Sequence, residues 1–146
     1  MTSAKIIYAS ITGNTEEIAN KVKENLENAG VEVSIDEIDS AQPSDFDNFD
    51  IAIVATYTYG DGDLPDEAQD FYEELKEADL SDKKYGVLGS GDTSYGENFC
   101  KAVELFEEAF KAAGAAKAAS GVKVEFAPDT EDDEKNIKKF VEEIIK

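Results

Sequence analysis

The chain reads as an α/β protein: a doubly wound, five-stranded parallel sheet in the order 2-1-3-4-5. Three observations predict this. Five apolar or alternating runs alternate with five helical patterns, the rhythm of βαβ units. The first, third and fourth runs are nearly uniformly apolar, as parallel strands buried on both faces are, whereas the second and fifth alternate like edge strands. Polar, glycine-bearing segments follow the first, third and fourth runs, where an open α/β sheet of this order binds ligands beyond its strand ends. The competing dinucleotide-fold order puts the third strand at an edge, contrary to its pattern.

Taken in order, Lys5-Ile6-Ile7-Tyr8-Ala9 is the first strand. Residues 14–29 carry Ile18, Ala19, Val22, Leu26 and Ala29 on one helical stripe, and Gly30 ends it. Residues 31–38 alternate as the second strand, and Ile51-Ala52-Ile53-Val54-Ala55 is the third. A helix over 65–78 turns Phe71 and Leu75 inward, and 85–89 is the fourth strand. The helix over 98–113 aligns Ala102, Val103, Phe106, Ala109 and Phe110. The alanine-rich stretch 112–120 contains a turn glycine and reads as a helix end and loop. Val122-Lys123-Val124-Glu125-Phe126 is the fifth strand. The last helix shows Ile137, Phe140, Val141, Ile144 and Ile145 near ideal spacing.

A chain of 146 residues suits a single domain over 1–146. It has no histidine, arginine or tryptophan, which removes Ser–His and Cys–His nucleophile pairs, histidine zinc sites and arginine clamps. Cys100 is the one cysteine, so no intramolecular disulfide forms, and a buried, redox-silent thiol is expected there. The formal charge of −20 repels nucleic acid and anionic membranes; on charge alone it either attracts a basic protein surface or serves only to keep a small protein in solution. With no leader pattern and no apolar stretch of bilayer length, a cytoplasmic monomer is the expectation.

Three loops carry the chemistry. Ser10-Ile11-Thr12-Gly13-Asn14-Thr15 leads from the first strand into the first helix. Hydroxyls, an amide and a glycine sit where a helix leaves its first N–H groups unpaired, a ready anion site. A routine helix cap needs one such residue, not five of six. The loop is neither a Walker motif nor a G-x-G-x-x-G fingerprint. The third strand leads into Thr56-Tyr57-Thr58-Tyr59-Gly60-Asp61-Gly62-Asp63-Leu64-Pro65, and the fourth into Gly89-Ser90-Gly91-Asp92-Thr93-Ser94-Tyr95-Gly96.

The run Ile6-Ile7-Tyr8-Ala9-Ser10, then Thr12-Gly13-Asn14-Thr15, then Ala19 and Val22, resembles the flavodoxin signature. The likeness extends over essentially the whole chain and is closest to the short-chain branch, because no long insertion separates the fifth strand from the last helix. Flavodoxins are themselves a type example of ligand binding at the switch point of this sheet order. The resemblance implies non-covalent FMN, its phosphate wrapped by the first loop without a basic partner. It implies an aromatic ring from the second loop on the isoalloxazine, Tyr59 or Tyr57, where many relatives carry tryptophan. It implies backbone contacts from Ser90, Gly91 and Asp92 to the pyrimidine edge, and Tyr95 on the opposite face. It implies that the Gly60-Asp61 peptide turns over on reduction to offer its carbonyl to flavin N5–H. The second-couple potential is then expected to be low, within an acidic shell of Asp61, Asp63, Asp66 and Asp92.

The function implied is a carrier of single electrons between redox proteins with basic docking surfaces, a reductase donor and a metalloenzyme acceptor. Such a protein is an electron-transfer flavoprotein with no catalytic residues, not an enzyme. The same fold serves FMN-dependent quinone reductases, which add a segment or a subunit over the flavin, and dedicated activators of one metalloenzyme. A phosphorylation-switch receiver needs an aspartate ending the third strand, where Thr56 stands, and a Cys-x5-Arg phosphatase needs an arginine.

Overall fold

The computed structural model describes residues 2–10, 13–58, 64–91 and 100–146. Strands β1 (Ser3–Tyr8), β2 (Glu32–Glu37), β3 (Ile51–Tyr57), β4 (Lys84–Gly91), β5 (Ala116–Lys117) and β6 (Val122–Glu125) form one sheet. All pairings are parallel. The order is β2-β1-β3-β4, with β5 and β6 both on the far edge of β4. This is the predicted order 2-1-3-4-5, with the fifth position filled by two segments. Helices α1 (Asn14–Asn28), α2 (Asp66–Glu77), α3 (Lys101–Ala112) and α4 (Glu131–Ile144) cover the two faces.

The split of the fifth strand departs from the expectation of a loop over 112–120. Ala116 N–H donates to Lys83 C=O at 2.9 Å and Ala118 N–H to Tyr85 C=O at 3.0 Å, whereas β6 pairs with residues 88–91. Two exposed residues leave no hydropathy alternation to read, so only the partner strand reveals this pairing. The connection from β2 to β3 also differs. It takes two 3₁₀ turns, Ile38–Ser40 and Pro43–Phe46, in a stretch where the sequence locates no element, and the described residues hold four α-helices against the five helical patterns expected. Pro43 opens the second turn, and closely spaced Ser and Asp compete for local backbone bonds there.

Strand periodicity divides the core into two layers. Ile7, Ala52, Val54 and Val87 face Phe71 and Leu75 of α2 and Phe106 and Phe110 of α3. Ala4, Ile6, Ile51, Ile53 and Leu88 face Ile18, Val22 and Leu26 of α1 and Ile137, Phe140 and Ile144 of α4. Phe46 packs edge-on to Phe71, centroids 6.2 Å apart, and Tyr85 stacks on Phe110 at 4.9 Å. β2 buries no residue completely and β6 buries every second one, as sheet edges do. Lys5 is the exception in β1: its buried ammonium reaches sideways to Ser34 Oγ at 2.9 Å and to the Asp36 carboxylate, both on β2.

Helix ends account for the remaining differences in register. Ala29 and Ile145 are exposed although both continue the apolar stripes, because each is the residue that leaves its helix. At the end of α1, Gly30 N–H donates to Glu27 C=O and Val31 N–H to Leu26 C=O, both at 3.0 Å. That pattern closes the last carbonyls and seats Val31 on Leu26. α4 begins in a reciprocal box: Thr130 Oγ1 accepts from Asp133 N–H at 3.0 Å and the Asp133 carboxylate accepts from Thr130 N–H at 3.4 Å.

Candidate functional site

The carboxyl ends of β1, β3 and β4 lie side by side in the middle of the sheet, with β3 and β4 running two and three residues past the level of Tyr8. Tyr8 lies beside Ala55, and Tyr57 beside Ser90. Each strand is followed by one of the three loops singled out in the sequence, so the sheet order itself gathers them. Ser10, Gly13, Asn14, Thr15, Tyr57, Thr58, Ser90 and Gly91 fall within the described residues at this edge. Ile11, Thr12, Tyr59, Gly60, Asp61, Asp92 and Tyr95 lie outside the described residues.

The first loop is pinned at both ends. Ser10 Oγ accepts the Gly13 N–H at 3.0 Å, a local turn that swings the chain into α1. Gly13 has φ 90° and ψ −7°, left-handed geometry that penalises any Cβ, although there is open space around it. Gly13 C=O takes the first helical bond, from Glu17 N–H at 3.0 Å. The helix therefore starts on a residue without a side chain to cap the amides of Asn14, Thr15 and Glu16. Uncapped first-turn amides and the positive end of the helix dipole suit an anion.

Ser90 joins the three loops. Its hydroxyl lies 2.9 Å from Thr15 Oγ1, a buried link between α1 and β4 across 75 residues of sequence. Its carbonyl accepts Thr58 N–H at 3.2 Å, carrying the β3–β4 ladder one residue past the strand. Thr58 Oγ1 in turn accepts the Ala102 N–H at 3.0 Å and so caps α3 from a distance of 44 residues. No local pattern announces either partnership, since hydroxyls in a polar loop look alike whatever they bond. The Ser90 and Thr15 hydroxyls each retain two hydrogen-bonding capacities beyond their mutual bond.

The rim is acidic and aromatic. Tyr8 Oη donates to Glu16 Oε2 at 3.3 Å and Glu37 Oε1 at 3.4 Å. Desolvation first, then these two negative neighbours, push the Tyr8 phenol up to about 12. Tyr57 Oη donates to Glu67 Oε1 at 3.3 Å. Cys100 precedes α3 in left-handed geometry, φ 53°, and is buried, its Sγ 3.7 Å from the carbonyls of Gly89 and Val124. Burial pushes its thiol up to about 12, so it is a protonated packing residue at neutral pH, as the sequence suggests. Among the described residues, no group of three or more His, Cys, Asp or Glu is placed to hold a metal, and no helix is long and apolar enough to cross a membrane.

The comparisons with known proteins agree with this geometry. The family pattern described as Flavodoxin matches residues 6–140. The chain is 42% identical over 140 residues to the probable flavodoxin 1 of Bacillus subtilis (strain 168), covering 96% of this chain and 88% of the relative. Among solved structures, the Streptococcus pneumoniae TIGR4 flavodoxin is similar with a TM-score of 0.94 and 51% identity, covering 99% of this chain and 98% of that one. A short-chain flavodoxin associated with a non-canonical PDU bacterial microcompartment superposes with a TM-score of 0.96 at 44% identity, over 99% and 97% of the two chains. A sheet of order 2-1-3-4-5, three loops that leave its neighbouring central strands and relatives that match end to end leave one conclusion: the chain belongs to the flavodoxin family.

Proposed function

We propose that this chain is a low-potential carrier of single electrons that holds FMN non-covalently and shuttles between redox proteins with basic surfaces. The observation that carries the reading is the glycine-led start of α1 at the switch point of the sheet, with Ser10, Thr15 and Ser90 hydroxyls around it. These residues fit a phosphorylated flavin. A phosphate finds uncapped amides and hydroxyls, and needs no arginine. In this reading Ser10, Ile11, Thr12, Gly13, Asn14 and Thr15 hold the phosphate, and Tyr57 or Tyr59 and Tyr95 cover the ring faces. Thr58, Gly60, Asp61, Ser90, Gly91 and Asp92 line the ring edge. FMN supplies the electron chemistry when bound, and the protein sets its potential and exposes its edge. The protein works as a cytoplasmic monomer and performs no bond-making step of its own.

The visible spectrum of the purified protein and a titration of the apoprotein test the reading together. A yellow protein, or an apoprotein that takes up FMN far more tightly than riboflavin, supports it. Equal affinity for the two removes the phosphate role of the first loop, and no uptake of either ends the proposal.

A further inference from the structure

Phe126 is the most exposed large apolar residue among those described, with 54% of its surface open. It sits one residue past β6, and its N–H donates to Gly91 C=O at 3.0 Å, so its backbone is bonded directly to the third site loop. Its φ of 56° lies in the left-handed region, where a Cβ carries a steric penalty that glycine escapes. The core gains little from a ring so exposed, and the backbone geometry favours glycine. Folding alone therefore does not account for phenylalanine at this position, and strain of this kind concentrates at working surfaces. The segment 125–134 around it holds six carboxylates, Glu125, Asp129, Glu131, Asp132, Asp133 and Glu134, and no lysine. Of these, Glu125, Asp129, Glu131, Asp132 and Glu134 are exposed.

We propose that Phe126 is the apolar anchor by which a basic redox protein docks beside the site. The inference rests on the carrier reading and names the contact that reading leaves open. The partner's chemistry follows from the surface: an apolar patch to receive the ring, encircled by lysines or arginines to meet the carboxylates. The two parts act at different stages. The charges steer encounter and weaken with salt, while the buried aromatic holds the docked pair and is insensitive to salt. Because Phe126 is one hydrogen bond from Gly91, a partner seated on it lies against the carboxyl end of β4.

The test compares the FMN-loaded wild type with Phe126→Gly, which removes the ring and relieves the backbone. The acceptor is cytochrome c, a small basic haem protein whose exposed haem edge is apolar and surrounded by lysines. The variant is expected to bind FMN as wild type does and to unfold at an equal or higher temperature. Its rate constant for reducing cytochrome c should fall about tenfold, as loss of a central aromatic contact does, with the slope against ionic strength unchanged. The complementary pair Glu131→Gln and Asp132→Asn should flatten that slope and leave the high-salt rate as it was. An unaltered rate in Phe126→Gly overturns the docking role. So does a lower unfolding temperature or loss of FMN, which makes the ring structural, or a wild-type dimer that the variant abolishes. Wild-type protein that holds no FMN, or holds it and passes no electron, overturns the carrier reading itself.

Discussion

Replacing the hydroxyls of Thr15 and Ser90, singly and together, tests whether the first and third loops are one unit. The two oxygens are 2.9 Å apart, in residues only 1% and 4% exposed. Thr15→Val keeps the shape of the side chain and removes its hydroxyl; Ser90→Ala leaves the Thr15 hydroxyl buried beside a methyl group. The bond from Thr58 N–H to the Ser90 carbonyl survives both changes, because it is made by backbone. A buried hydroxyl deprived of its partner costs about 1–3 kcal/mol, so each single variant should lose that much stability. The double variant removes both ends of the bond. It should lose less than the sum, by a coupling of about 1 kcal/mol, whereas unconnected sites add to within about 0.3–0.5 kcal/mol. Urea unfolding of the apoprotein, followed by circular dichroism, gives the three values. Titrating the same four proteins with FMN shows whether the pair also holds the site in shape, in which case each single variant binds more weakly and the double no worse than their product. Additive losses in stability would refute the link and leave the loops as independent neighbours.

Three further outcomes follow from the structure. Cys100, with its thiol pushed up to about 12, should be silent to thiol reagents in the native protein and react only on unfolding. The unfolded thiol ionises near ~8.5, so the unfolded state sheds this proton first. Stability should therefore fall as pH rises through that window, by up to about 1.4 kcal/mol per unit, and Cys100→Ala should remove that slope from unfolding curves. Asp36→Asn strips the buried Lys5 ammonium of its carboxylate and should cost about 2 kcal/mol in urea unfolding, less than a fully buried pair because Asp36 is half-exposed. Lys5→Met, which removes the charge itself, should cost less. Gly60→Ala should bring the two one-electron couples closer together if that peptide turns over on reduction. An unchanged separation with FMN still bound would reject the switching role.

The sheet order was legible because it depends on burial, and burial writes itself locally: β3 is apolar throughout, while the partly exposed β2 and the alternating β6 show their edge positions. The three loops were legible because glycine and hydroxyl residues fall directly after β1, β3 and β4. What could not be read are bonds between distant segments. Ala116 and Lys117 carry no strand pattern of their own and become a strand only where β4 offers its free edge. The Thr58 cap on α3 and the Thr15–Ser90 bond join residues that nothing in their neighbourhoods distinguishes. Phe126 read as the last residue of an alternating strand, and its left-handed turn and exposure emerge only where the chain swings from β6 toward α4.

A potentiometric titration of the FMN-loaded protein, followed through its visible spectrum, tests the central claim most directly. An electron carrier of this kind should take up its two electrons in two well-separated one-electron steps, the second at low potential because the added charge enters a protein of net charge −20. A single two-electron step, accompanied by steady oxidation of NADPH in the presence of a quinone, would contradict the account and make the protein an enzyme.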